Sequence, residues 1–132
     1  MYYIDTHSHI YYDKYKDDLD EVINRAQDNN IKNIICVGVD LPSSKKSIKL
    51  AESYDLIYAT AGYHPHESKD ASSNYLNNLE QLLKHKKVVA LGEIGLDYYY
   101  NHSQIQTQLR VFTEQINLAK ELDMPIIIHN RL

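Results

Sequence analysis

The chain has 132 residues, with 14 basic and 18 acidic side chains and a formal net charge of −4. That is one domain's worth of chain, long enough to bury a core without a disulfide or metal staple. Apolar residues at 43% and charged residues at 24% exclude a disordered chain and a coiled coil, and the negative balance disfavours a protein that holds DNA by a broad basic surface.

In chain order, residues 2–4 form a short apolar run that predicts a first strand. Leu19, Val22, Ile23 and Ala26 then follow with helical spacing. Residues 34–39 predict a second strand, and Ile48, Leu50 and Ala51 a weaker helix with its start signal at residues 41–44. A third strand is expected at residues 56–61, then a helix on Leu76, Leu79, Leu82 and Leu83. A fourth strand is expected at residues 88–91. The stripe Ile105, Leu109, Phe112, Ile116 and Ala119 predicts a long helix, and residues 126–128 a fifth strand. Short, β-branched and nearly continuous apolar runs are expected of strands buried on both faces of a parallel sheet.

The alternation is βαβαβαβαβ with crossover units of roughly 30 residues. It fits either an open doubly wound α/β sheet or a closed (β/α)8 TIM barrel. A barrel needs about 250 residues and eight strands, so residues 1–132 are expected to be the N-terminal portion of a single longer barrel domain, with about five parallel strands. The start MYYIDTHSHI lacks the basic and apolar regions of a secretory signal. No apolar run approaches the ~20 residues that cross a bilayer, so no membrane association is expected. Cys36 is the single cysteine. It permits no intrachain disulfide, fits a reducing, cytoplasmic compartment, and reads as a buried small hydrophobe.

The polar signatures share one position, the C-terminal ends of the strands, where α/β enzymes build their sites. They are Asp5-Thr6-His7-Ser8-His9, Gly62-Tyr63-His64-Pro65-His66-Glu67, Gly92-Glu93-Ile94-Gly95-Leu96-Asp97 and His129-Asn130-Arg131. Alternate strand residues face the same way, so His7 and His9 can converge on a cation. The other reading is a polar loop. Asp5 shares that face and could orient one of the histidines. Glu93, expected at the rim of a dry core, needs a partner: a metal, or a salt bridge. His129 alone reads as structural, and together with His7, His9 and Glu93 as a ligand. His64 could face the mouth and act on a phosphate or leaving group, while His66 reads more simply as a turn cap. Tyr98-Tyr99-Tyr100 could stack on bases. Twelve tyrosines in the chain make any one of them weak evidence. His85 and His102 read as solvent-facing. No phosphate-binding GxxxxGK[ST] loop, GxGxxG, HExxH or GxSxG occurs.

Together, in that order, these four motifs closely resemble the TatD family of metal-dependent deoxyribonucleases, amidohydrolase-like (β/α)8 barrels, across the whole chain. The resemblance implies two divalent metal ions (Mg, Mn or Zn). His7 and His9 would hold the first, Glu93 would bridge both, and His129 would hold the second. His64 would line the substrate site, so that His64 and Glu93 carry the catalytic roles. It implies metal-assisted hydrolysis of phosphodiester bonds in DNA, as an exonuclease on single-stranded ends. The family's remaining ligands, a histidine after strand six and an aspartate after strand eight, have no counterpart within these residues. Tyr11 and Asn130 depart from the family's usual residues.

Two alternatives remain. One is a C–N hydrolase on the same scaffold, whose members often bridge their metals with a modified lysine where Glu93 stands here. The other is a catalytically incomplete half-barrel that self-associates through its open sheet edges.

Overall fold

The structure, a computed structural model, describes residues 1–131. Among them, five strands make one parallel sheet: β1 (Tyr3–Ser8), β2 (Ile31–Cys36), β3 (Ile57–Ala61), β4 (Val88–Asp97) and β5 (Ile126–Arg131). Four α-helices make the crossovers: α1 (Leu19–Asp28), α2 (Leu41–Ser53), α3 (Tyr75–Leu83) and α4 (Ile105–Glu121). The spatial order is β1-β2-β3-β4-β5, the order of the sequence. A doubly wound sheet reverses its strand order at a switch point, and none occurs here. The singly wound order is that of a barrel wall.

The sheet curls. β1 and β4 are three strand spacings apart, roughly 14 Å in a flat sheet. Yet His7 on β1 lies 3.3 Å from Glu93 on β4, a contact that only a wall bent around a common interior can make. The molecule is a curled half-barrel of five strands.

Local chemistry explains the elements. α2 begins at Leu41, within the expected start at residues 41–44, and is capped by Asp40. The Asp40 carboxylate accepts the Ser43 backbone N–H, and the Ser43 hydroxyl accepts the Asp40 N–H, a complete capping box, with a proline in the first turn. The core is formed by Ile34, Cys36, Ile57, Ala59, Leu79, Leu91, Ile94 and Leu118. β3 and β4 are buried as expected. β1 and β5 are not: Tyr3, Ile4, Ile126 and Ile128 are exposed. Each of those strands has a hydrogen-bonded neighbour on one side only, so half of its expected cover is missing.

α4 differs from expectation by one residue of phase. Its buried face is Gln108, Val111, Gln115, Leu118 and Ala119, while Ile105 and Leu109 of the apolar stripe are exposed. The reason is polar. Gln115 donates to the Tyr63 carbonyl (3.1 Å) and accepts its N–H (2.7 Å). Gln108 accepts the Asp97 N–H (2.8 Å) and donates to the carbonyls of Asp97 (3.1 Å) and Ser103 (2.8 Å). Two glutamines seven residues apart thus satisfy the backbone just beyond β3 and at the end of β4, where the ladder stops.

Candidate metal centre

Four of the five strands deliver the site. His7 lies in β1 and His9 one residue past its end; Glu93 lies inside β4, His129 inside β5, and His64 follows β3. β2, expected at residues 34–39, starts at Ile31 and ends at Cys36, whereas β1, β4 and β5 run further than the apolar runs suggest and take their polar motifs into the sheet itself. Gly95 makes this possible. It is paired with His129, has φ of +146°, and a Cβ there would fall on the His129 carbonyl oxygen. Only glycine lets β4 adopt that backbone and approach β5 so closely.

Glu93 is buried and central. Its Oε2 lies 3.3 Å from His7 Nε2 and its Oε1 3.2 Å from His129 Nδ1, with His64 Nε2 4.0 Å from Oε1. Three sets of candidate ligand atoms converge, from His7, His9 and Glu93, from His64, Glu93 and His129, and from His66, Asp97 and His129, each within 4.8 Å. The structure therefore brings together all five residues singled out from the sequence.

The hydrogen bonds fix which nitrogen each imidazole offers. His9 Nδ1 lies 2.9 Å from the Val37 carbonyl oxygen. A carbonyl only accepts, so Nδ1 carries the proton and Nε2 keeps its lone pair for a cation. Burial, reinforced by the neighbouring His7, holds the His9 pKa below its ordinary value, which favours this neutral, ligating form. His64 is set the other way. Its Nδ1 accepts the His66 backbone N–H at 3.1 Å, so the neutral ring carries its proton on Nε2, the atom aimed at Glu93. Burial, then the adjacent His129 and His66, lower its pKa to about 3. His64 is thus a neutral hydrogen-bond donor facing the site rather than a ligand through Nε2.

Two residues depart from the sequence reading, in which Asp97 has no role and His66 is a turn cap. Asp97 is fully buried, and its Oδ2 accepts from His66 Nε2 (2.7 Å) and His129 Nε2 (2.9 Å). Its Oδ1 accepts the Tyr100 backbone N–H at 2.9 Å. Burial alone would raise its pKa, but the Tyr100 N–H and the two imidazoles hold it well below the ordinary carboxylate range. The signal available in sequence was register: in a strand, Asp97 shares a face with Glu93 and Gly95. Asp5 departs from expectation. Its carboxylate accepts the His7 backbone N–H at 3.0 Å and orients the chain rather than an imidazole. Tyr99 and Tyr100 are exposed, and Arg131 lies over the Tyr100 ring at 5.1 Å. His102 is exposed as read, and Cys36 is buried.

The donor set suits divalent ions. Ligand atoms about 2.0–2.2 Å from one ion are roughly 2.8–3.6 Å from each other at octahedral or tetrahedral angles. The Glu93 contacts with His7 and His129, at 3.3 and 3.2 Å, fall in that window. The contact of Asp97 with His66, at 2.7 Å, is shorter than that window and is a hydrogen-bond length, while its contact with His129, at 2.9 Å, fits both. Moreover, with the His129 proton on Nε2, its Nδ1 lone pair faces a Glu93 oxygen at 3.2 Å, two acceptors that need a cation or a second proton between them.

A metal-binding α/β half-barrel is the class of protein that this wall and centre define. The family described as TatD related DNase matches residues 4–132, and the chain belongs to that TatD family. It is 45% identical, over 96% of its length and 50% of the relative's, to a metal-dependent hydrolase of Bacillus subtilis, YabD. It is 38% identical, over 89% of its length and 46% of the relative's, to the 3'-5' ssDNA/RNA exonuclease TatD of Pantoea ananatis. The crystal structure of the TatD homologue YjjV of Escherichia coli superposes with a TM-score of 0.89 at 35% identity, covering 98% of this chain and 51% of that one. The chain spans about half the length of these relatives.

Proposed function

We propose that this chain supplies the first half of a single barrel domain, a metal-dependent nuclease that hydrolyses phosphodiester bonds at single-stranded DNA ends. His7 and His9 would hold one divalent ion, His129 the other, and Glu93 both; Mg, Mn and Zn are the candidate ions. The observation that carries the reading is Glu93, buried, with each carboxylate oxygen opposite an imidazole from a different strand. The relatives named as ssDNA/RNA exonucleases support the substrate class. When bound, the ions would polarise the phosphate, lower the pKa of the attacking water and steady the leaving oxygen.

The chain's own residues do the rest. Val37 holds His9 so that Nε2 faces the site. His64 presents Nε2–H to an anionic oxygen of the substrate, and its depressed pKa keeps it a donor of a hydrogen bond rather than of a proton. The burial of Glu93 and Asp97 keeps the floor of the site dry, which strengthens every charge interaction above it. The negative net charge is no obstacle, because bound ions supply the local positive charge. A carboxylate at position 93 favours phosphoryl chemistry over the C–N hydrolase alternative. A single cysteine, buried, is in keeping with a cytoplasmic location.

The test uses the polypeptide as its source cell makes it, with 5'-labelled single-stranded DNA, matching RNA and duplex. Stepwise shortening of the single strand from its 3' end with Mg2+ or Mn2+, stopped by chelator, is expected. Cleavage indifferent to chelator, or none with any of the three ions, contradicts the proposal.

A further inference from the structure

We propose that Asp97 is a positioning residue: it holds His129 with its proton on Nε2, and so turns the Nδ1 lone pair toward Glu93. The inference rests on the reading of His129 as a metal ligand and adds what sets its orientation. Histidine can present either nitrogen to a cation, and the hydrogen bond made by the other nitrogen decides which. For His9 a backbone carbonyl does this. For His129 no backbone oxygen is in reach of a ring nitrogen among the described contacts; the partner of Nε2 is the Asp97 carboxylate, at 2.9 Å.

Asp97 is itself held at three points. The Tyr100 N–H fixes Oδ1, His66 Nε2–H fixes Oδ2 at 2.7 Å, and Gln108 ties both the N–H and the carbonyl of its backbone to α4. No exposed surface remains to it. A carboxylate so held cannot swing to follow its partner, so the imidazole must conform to it. Gly95 completes the arrangement, because any side chain there would push β5 and the His129 backbone away. This gives His66 a part as well: it is the second donor that keeps Oδ2 in place, and its distance to Asp97 is too short for an ion shared between them.

Asn is nearly the same shape as Asp, and its effect follows from the hydrogen bonds. In Asp97→Asn the amide oxygen stays on the Tyr100 N–H, the one partner that can only donate. The NH2 group then takes the place of Oδ2 and presents donors to both imidazoles. His129 Nε2 must become an acceptor, and its proton moves to Nδ1, the atom that faces Glu93.

Long-range 1H–15N spectra of metal-free protein report which ring nitrogen bears the proton. In the wild type, His129 Nε2 is expected to be protonated; an unprotonated Nε2 overturns the proposal. In folded Asp97→Asn the proton is expected on Nδ1, with Zn2+ and Mn2+ affinity lowered by roughly 10- to 100-fold, the usual cost of losing such a partner. Unchanged affinity with an unchanged tautomer overturns it. The wild-type spectrum decides the role of Asp97 even if Asp97→Asn does not fold. It decides independently of whether the wild type binds metal, so failure of the metal reading is told apart from failure of this one.

Discussion

His7 Nε2 lies 3.3 Å from Glu93 Oε2, although the two residues stand on β1 and β4 with two strands between them. The curl of the sheet is what joins them, and it brings the first candidate ligand of the chain to the buried carboxylate. Because His129 approaches the other carboxylate oxygen from β5, the two imidazoles would serve different ion positions under the proposed function. His7→Ala is therefore expected to cost one of two bound ions and leave the other. Metal analysis after equilibrium dialysis against Mn2+ reads this directly; loss of both ions, or of neither, contradicts the division.

His64 is expected to act on substrate and not on metal. Its Nδ1 is committed to the His66 N–H, and its Nε2–H is the donor left to face an anionic oxygen. His64→Ala should leave metal content unchanged and lower kcat by roughly 10²- to 10³-fold, the effect of removing one preorganised donor. A proportional fall in bound metal would make it a ligand after all.

The buried polar cluster makes stability fall with pH. His64 has a folded pKa of about 3 against an ordinary value of 6.5. Between those values the unfolded chain binds a proton that the folded chain does not. Stability is therefore full above about pH 6.5 and is lost as pH falls toward 3, at up to about 1.4 kcal/mol per pH unit for one proton. Asp97, also depressed, adds to the loss below its ordinary value of 3.8. Urea denaturation of metal-free protein at several pH values checks the sign. His64→Gln should flatten the slope between pH 6.5 and 4; equal slopes in variant and wild type would remove His64 as its source.

The open edges carry their own prediction. Ile126 and Ile128 of β5 and Tyr3 and Ile4 of β1 are exposed, on strands with one free ladder side each. Such edges template pairing with another chain. The 132-residue polypeptide on its own is expected to self-associate in a concentration-dependent way, and Ile128→Lys to reduce that. Light scattering that shows a monomer at all concentrations refutes this.

Much of this arrangement was legible in the sequence because barrel geometry is periodic. Five short apolar runs mark the strands, and the polar residues that close four of them include His7, His9, His64, Glu93 and His129. What was hidden depended on contacts across the fold. The apolar stripe on α4 pointed to Ile105 and Leu109, but Gln108 and Gln115 turn inward because the backbone beyond β3 and at the end of β4 needs their amides. Asp97 and His66 lie 31 positions apart, and only the packing of the turn after β3 against β4 makes them partners. β1 and β5 are less buried than their apolar runs imply, because a run of apolar residues does not say how many neighbours its strand has.

The most direct test is the metal content of Glu93→Ala beside the wild type, with circular dichroism to show that both are folded. Glu93 meets His7 through one oxygen and His129 through the other, so a single truncation removes a ligand from both positions. Wild-type protein is expected to bind two divalent ions, and folded Glu93→Ala to lose most of its affinity for both. Unchanged stoichiometry and affinity in the variant would contradict a shared, bridging carboxylate.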